Sequence, residues 1–178
     1  MDHKQVSFDS ELLILVDEDD NKIGYKPKSD CHQGEGILHR AFSIFIFNGN
    51  GEILLQKRGA DKALWPLFWS NACCSHPRKG ESYETATKRR LEEELGLQAE
   101  LRFLYKFQYQ ANYLDKGSEN ELCAVYMGRS EEPIRANPYE IDEWKFVTID
   151  ELNRDLAENP DRYTPWFKME WSRIQEKY

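Results

Sequence analysis

The chain has 178 residues, of which 40% are hydrophobic and 13% aromatic, and this suits one compact domain with a sizeable core. Its formal charge of -8 argues against a general nucleic-acid binder, although a few local cations could still bind a phosphate group. No apolar run approaches the roughly 20 residues that a membrane span requires, and the first ten residues lack the pattern of an export signal. We therefore expect one domain over residues 1–178, a cytoplasmic location and reduced cysteines.

Strand-forming residues dominate the first part of the chain. The predicted strands there cover residues 11–17, 22–26, 37–47 and 52–58. An Asn-Gly-Asn-Gly run separates the last two and is typical of a hairpin turn. Two polar segments, residues 29–36 and 63–77, are predicted to be loops, and the second is rich in aromatic residues and cysteine.

The second part of the chain alternates helices with strands. The predicted helices cover residues 83–95, a short segment after the Thr148–Glu151 capping box, and residues from Thr164-Pro165 to about Tyr178. Ser82 and Gly96 are suited to begin and end the first of these helices. The predicted strands cover residues 100–113, 120–129 and 144–147. Together these elements predict a mixed α/β domain, of the α+β kind.

Three histidines and two glutamates are candidates for a metal site. His32, His39 and His76 lie in polar loops or beside strand ends. Glu119 and Glu121 are two residues apart where a strand begins, so their carboxylates share one face. Two buried carboxylates repel each other unless a cation lies between them, and this donor set suits Mn, Mg, Fe or Zn. From spacing alone, the alternative is a pair of exposed glutamates at a loop edge.

The adjacent thiols have two further interpretations. Cys74 precedes His76 by two residues, a spacing found in structural zinc sites, although no second close pair of ligands accompanies it. Alternatively, Cys73 and Cys74 are small buried hydrophobic residues, which is the common fate of a free cysteine.

Several isolated cations could converge on a diphosphate group. Lys28, Arg58 and Lys62 lie on separate loops or strand ends. Arg90 and Glu94 lie one turn apart on the predicted helix and share a face, where they could also form an ordinary surface ion pair.

These motifs occur in an order that resembles the type 1 isopentenyl-diphosphate isomerases. The motifs are the histidine pair His32 and His39, the Trp-Ser-Asn-Ala-Cys-Cys-Ser-His-Pro run at residues 69–77, and the Glu119-Asn120-Glu121 triplet. The resemblance covers nearly the whole chain and is strongest from residue 28 to residue 126. A degraded Nudix box is also present, with Arg90 where Nudix hydrolases have a metal-binding glutamate. The resemblance implies a Nudix-like mixed sheet flanked by helices.

The resemblance also implies an activity and its cofactors. The expected reaction interconverts isopentenyl diphosphate and dimethylallyl diphosphate in isoprenoid biosynthesis. One divalent metal, Mn2+, Mg2+ or Zn2+, is expected at a five-residue site: His32, His39, His76, Glu119 and Glu121. A second ion, Mg2+, is expected with the diphosphate and Glu94. The implied diphosphate-binding residues are Lys28, Arg58, Lys62 and Arg90.

Four residues are implied to be catalytic. Cys74 and Glu121 are expected to exchange protons with it from opposite faces, and Tyr109 to hydrogen-bond Glu121. Trp166 is expected to stabilise a carbocation through its π face. We expect a small-molecule substrate, no nucleic-acid or membrane partner, and a monomer or homodimer. The alternatives are a Nudix hydrolase of a nucleoside diphosphate derivative and a non-catalytic Nudix-like binding module.

Overall fold

The computed structural model describes residues 3–178 and confirms the mixed sheet flanked by helices. Its strands are β1 (Leu12–Val16), β2 (Lys22–Pro27), β3 (His39–Phe47), β4 (Ile53–Arg58), β5 (Trp69–Ser70), β6 (Cys73–Ser75), β7 (Leu101–Tyr113), β8 (Gly117–Arg129) and β9 (Ile141–Val147). Its α-helices are α1 (Lys28–Cys31), α2 (Tyr83–Leu95), α3 (Ile149–Glu158) and α4 (Pro165–Lys177). A 3-10 turn (Pro160–Arg162) links the last two helices.

Strand β3 is the centre of the sheet. It pairs in parallel with β8 and antiparallel with β1, β4 and β6, while β7 lies outside β8 and β9 lies beside β4. Successive side chains of a strand point to opposite faces. Phe42 and Ile44 therefore pack with Leu91 of α2, whereas Phe45 packs with Phe167 and Trp171 of α4. The two helices consequently cover the two faces of the same strand.

The helix ends agree with the sequence signals. The Ser82 hydroxyl accepts a hydrogen bond from the Thr85 amide at 3.1 Å, and Gly96 ends α2 in the left-handed region at φ 62°. The capping box of Thr148 and Glu151 is confirmed. Thr164 occupies the N-cap position of α4 without a side-chain cap, because its hydroxyl lies 2.9 Å from that of Ser70. This contact ties α4 to the segment before β6.

Two loop predictions were wrong in part. The segment predicted as a loop at residues 29–36 begins inside α1, and the segment at residues 63–77 contains β5 and β6. Strand β5 forms on β4, and β6 forms on β3. Such short strands exist because of pairing with distant residues, which local sequence does not reveal. Within residues 3–178, none of the helices has the length and apolar character that crossing a membrane requires.

Candidate active site

Strand pairing gathers the five candidate metal ligands into one cluster. His39 begins β3 directly opposite Glu121 on the parallel strand β8. Glu119 lies two residues earlier on the same face of β8, and His76 follows β6 immediately. The Ser118 amide donates to the His32 carbonyl at 2.9 Å, which fixes the loop carrying His32 beside β8. One ligand atom from each of the five side chains can be chosen so that all lie within 4.8 Å of one another.

The unsatisfied atoms of this cluster fit a divalent cation. His32 Nε2 and Glu119 Oε2 lie 3.0 Å apart, yet neither has a hydrogen-bond partner among the described residues, and nor does His39 Nε2. Buried polar atoms without partners are costly, and three converging imidazoles repel one another once protonated. Accordingly, burial and the charge of His39 hold the pKa of His76 well below its usual range. The cluster can therefore hold one ion through nitrogen and oxygen donors.

Glu121 uses its two oxygens differently. Oε1 lies 2.8 Å from His76 Nε2 and 3.7 Å from His39 Nε2, while Oε2 accepts a 2.6 Å hydrogen bond from the Tyr109 hydroxyl. Tyr109 lies directly opposite Glu121 in the β7–β8 register. Burial opposes ionisation of Glu121, but the neighbouring His39 imidazole outweighs it and lowers the pKa of the carboxyl. One oxygen thus faces the imidazoles and the other faces a phenol.

Cys74 lies on β6, and its sulfur has a defined set of neighbours. Asn71 donates both amide hydrogens to the carbonyls of Ile44 and Cys73 at 3.0 Å, which leaves its Oδ1 facing the thiol at 2.8 Å. Trp166 Nε1 donates to the sulfur at 3.2 Å, and the Ser43 hydroxyl lies 3.5 Å away. Burial and then the charge of Glu170 raise the pKa of Cys74 to about 12. The resting group is a neutral thiol that donates to Asn71.

Trp166 lies among aromatic and cationic neighbours. Its ring contacts Trp65 edge-on at 5.2 Å between centroids and Tyr109 at 6.1 Å. The Arg58 guanidinium carbon lies 5.2 Å from the centre of the indole ring. Arg58 is held by hydrogen bonds to the carbonyls of Trp65 and Leu64, each at 2.9 Å. These contacts place an aromatic wall beside the thiol and a fixed cation next to it.

The remaining cations surround a carboxylate that the sequence analysis did not single out. Glu140, immediately before β9, accepts hydrogen bonds from Lys62 and from Arg90. Lys28 lines the same cavity as Lys62 and Arg90, and burial and then the charge of Lys62 lower its pKa. Arg90 is only 2% exposed, and it also pairs with Glu94.

A cavity of about 690 Å³ joins these groups. The candidate residues on its wall are Lys28, His32, Arg58, Lys62, Cys74, His76, Arg90, Tyr109, Glu119, Glu121 and Trp166. Two candidate residues lie behind the wall instead. His39 is fully buried beneath the other imidazoles, and Glu94 is held by Arg90 and Gln56. Cys73 is also absent from the wall, so Cys74 is the thiol of the adjacent pair that faces the cavity.

Sequence reasoning missed four residues of this neighbourhood. Asn71 and Ser43 contact the thiol, Glu140 pairs with the cations, and Glu170 lies behind the thiol. Asn71 lies within the Trp-Ser-Asn-Ala-Cys-Cys-Ser-His-Pro run, and that position was the one available signal. The other three lie in segments without a motif, and only the fold brings them to the site.

Comparisons with known proteins identify the fold and the family of the chain. The NUDIX domain family model matches residues 37–167, so the class of protein is a Nudix domain. The crystal structure of DR0079 from Deinococcus radiodurans aligns with a TM-score of 0.68 and 25% identity, over 84% of this chain and 90% of that one. A MutT protein from Methanosarcina mazei aligns with a TM-score of 0.65 at 17% identity, over 79% and 94% of the two chains, which supports the fold alone.

Curated relatives identify the family within the Nudix class. "Isopentenyl-diphosphate Delta-isomerase 1" of Photorhabdus laumondii is 44% identical over 170 residues, which cover 94% of this chain and 97% of the relative. The "Isopentenyl-diphosphate delta-isomerase" of Schizosaccharomyces pombe is 34% identical, over 94% of this chain and 83% of the relative. The chain belongs to the isopentenyl-diphosphate isomerase family of Nudix-fold proteins, and the family resemblance found in its motifs is confirmed.

Proposed function

We propose that this protein interconverts isopentenyl diphosphate and dimethylallyl diphosphate, with Cys74 and Glu121 as the two proton-exchanging groups. One observation carries the proposal: the Cys74 thiol and the Glu121 carboxyl group line the same cavity, and cations line its wall as well. The names of the curated relatives support the same reaction.

The reaction moves a double bond by one position and needs two proton transfers. In the forward direction, a proton adds to the terminal methylene carbon and another leaves the carbon two positions from the oxygen. One of Cys74 and Glu121 gives the first proton, and the other takes the second, so the number of protons on the pair is unchanged. Tyr109 donates a hydrogen bond to Oε2 of Glu121, and this bond fixes the orientation of the carboxyl group.

The surroundings of the pair suit a cationic reaction. Protonating an alkene creates positive charge on carbon, and water would capture it, so the reacting atoms must be shielded. Trp166 and Tyr109 form an aromatic side of the cavity, and Trp65 packs edge-on against Trp166. An aromatic face stabilises a nearby cation. Arg58 lies over the indole ring, and its charge is available to the diphosphate.

We assign the divalent cation to the His32, His39, His76, Glu119 and Glu121 cluster. When bound there, a divalent ion supplies charge that keeps Glu121 ionised and fixed in direction. We assign the diphosphate to Lys28, Arg58, Lys62 and Arg90. Their positive charges lie in or beside the same cavity as the reacting pair, so that a bound diphosphate places the five-carbon chain within reach of both.

Incubation with isopentenyl diphosphate in heavy water tests the reaction. We expect dimethylallyl diphosphate that carries solvent deuterium, detected by NMR or mass spectrometry. Release of phosphate from nucleoside diphosphate derivatives, without isomerisation, would instead establish a hydrolase. A protein that binds diphosphates without any turnover would be a binding module.

The paired variants Cys74→Ala and Cys73→Ala test the assignment of the thiol. Both remove one sulfur from β6, but only Cys74 lies on the cavity wall. We expect Cys74→Ala to lose at least about 1000-fold in kcat and to retain diphosphate binding. Cys73→Ala should isomerise within about tenfold of the parent once its folding is verified by circular dichroism. Near-normal rates in Cys74→Ala would refute the assignment.

A further inference from the structure

Glu140 is a buried carboxylate in a fixed position on the cavity wall. It is 2% exposed. The loop that carries it is rigidly attached, because the Gly59 amide donates to the Glu140 carbonyl at 2.8 Å and the Glu140 amide donates to the Asn137 carbonyl at 3.0 Å. The Asn137 side chain in turn donates to the carbonyls of Lys4 and Glu93. The backbone therefore holds this carboxylate among the cations.

The two oxygens of Glu140 have different surroundings. Oε2 accepts from Lys62 Nζ and, at 3.2 Å, from Arg90 Nη2. Oε1 receives no hydrogen bond from any described residue, although the side chain lines the cavity. In Glu94, by contrast, Oε1 pairs with Arg90 and Oε2 accepts from Gln56 at 3.1 Å, and that side chain lies off the wall. Glu140, unlike Glu94, therefore lines the cavity with an oxygen left for a ligand.

A negative oxygen beside a diphosphate site discriminates between two forms of the ligand. A metal-free diphosphate is highly anionic, and an ionised carboxylate repels it. A diphosphate that carries Mg2+ presents a hard cation, for which carboxylate oxygens are preferred ligands. A pocket made only of lysine and arginine would lack this discrimination, since it would attract the metal-free anion most strongly.

Building on the function proposed above, we propose that Glu140 makes the cavity select the Mg2+ complex of a diphosphate over the metal-free anion, through its Oε1 atom. The charge state of the group agrees with this role. Burial opposes ionisation of Glu140, but Lys62 and Arg90 outweigh it and hold the pKa of the carboxyl below its ordinary value. Glu140 is therefore an anion at neutral pH.

Binding of inorganic pyrophosphate, measured by calorimetry with Mg2+ and with a chelator, tests the proposal on the full-length protein. In Glu140→Gln the affinity for magnesium pyrophosphate should fall about 10- to 100-fold, the usual effect of losing a group that orients a metal. The affinity for metal-free pyrophosphate should stay the same or rise. Each variant is compared with the parent under the same condition, so that loss of metal from the histidine cluster affects both equally.

Glu143→Gln is the matched control. It makes the same substitution three residues further along, on an exposed side chain of β9 that contacts Lys57. It should leave both affinities within about twofold of the parent, as expected for an exposed ion pair. Glu140→Asp provides a second test in case Glu140→Gln does not fold. It keeps the charge but withdraws the oxygen by one methylene, so it should weaken only the magnesium complex.

An equal loss of affinity for both forms in Glu140→Gln would overturn the proposal, because Glu140 would then act only by orienting Lys62 and Arg90. Failure of the parent to bind either form would also overturn it. These results are separable from the isomerase assignment, since pyrophosphate binding needs no turnover. A protein without isomerase activity whose magnesium preference depends on Glu140 would contradict the proposed function alone.

Discussion

Two buried glutamates near Cys74 have opposite protonation behaviour. Glu121 is 7% exposed and faces the cavity, while Glu170 is 1% exposed and lies behind its wall on α4. The pKa of Glu121 is lowered, whereas burial raises the pKa of Glu170 to about 8. Depth of burial is similar, so it does not explain the difference.

The partners of the two carboxylates explain it. Glu121 has His39 and His76 at one oxygen and the Tyr109 hydroxyl at the other. Glu170 has the Cys123 thiol 3.5 Å from Oε1, and its Oε2 has no hydrogen-bond partner among the described residues. A thiol is a weak donor and carries no charge, so it compensates little of the desolvation cost of a carboxylate. The comparison teaches that the partners of a buried carboxyl group, and not its depth of burial, decide its protonation state.

The same substitution in both glutamates should separate their roles most clearly. Glu121→Gln removes the charge of a proton-exchanging group, and we expect kcat to fall about 1000- to 10000-fold. Glu170→Gln replaces a neutral acid by a neutral amide of similar shape, and kcat should stay within about tenfold. Steady-state isomerase assays at neutral pH measure both. A large loss of kcat in Glu170→Gln alone would reverse our assignment of the two carboxyls.

The pH dependence of stability should sharpen the contrast. The folded-state pKa of Glu170 is about 8, above its ordinary value of 4.5. Between these values the folded protein holds a proton that the unfolded chain has released, so this carboxyl contributes less stability as pH rises, and its contribution is lost near pH 8.

The free energy of unfolding of Glu170→Gln should therefore increase relative to that of the parent as pH increases. Urea unfolding at pH 5 should give similar free energies of unfolding for the two proteins. From pH 5 to pH 8, the difference between variant and parent should shift by about 2–4 kcal/mol in favour of the variant. Other titrating groups are common to both chains and cancel in this comparison. A difference that does not change with pH would show that Glu170 is ionised in the fold throughout.

The contrast between the two glutamates also shows which residues of the site could be predicted from the sequence. Glu119 and Glu121 were recognisable as possible metal ligands because a strand places alternate residues on one face. The histidines and Cys74 were recognisable because they lie in the motifs of the family resemblance. Glu170 lies in an amphipathic helix as one acidic residue among several, and nothing local marks it as buried. Its position beside Cys123 depends on how α4 packs across the sheet, and that packing is a property of the whole fold.

The fold was predictable to a similar extent. Helix α2 matches its predicted bounds of residues 83–95, because a cap, a helix-favouring run and a glycine all agree there. Strands β5 and β6 were missed, since each is held by pairing to β4 or β3 and is too short to show a period of its own. The pairing of Glu140 with the cations of the cavity could not be predicted for the same reason. Glu140 meets Lys62 across 78 residues of sequence, and no spacing rule relates them.

The smallest expected effect concerns the phenol that distinguishes the surroundings of Glu121 from those of Glu170. Tyr109→Phe removes the 2.6 Å hydrogen bond to Glu121 Oε2 and keeps the ring that packs near Trp166. A hydrogen bond to a charged group contributes about 1.5–3 kcal/mol, so kcat should fall roughly 10- to 100-fold while KM changes little.

Tyr105→Phe is the matched control for this phenol, because Tyr105 lies on the same strand and its hydroxyl donates to the Glu170 backbone carbonyl at 3.2 Å. It should leave kcat within about threefold of the parent, since the bond it breaks lies behind the cavity wall. Equal losses in the two variants would mean that both phenols support only the packing of β7. A loss confined to Tyr109→Phe would show that the direction of the Glu121 carboxyl, as well as its charge, limits the rate.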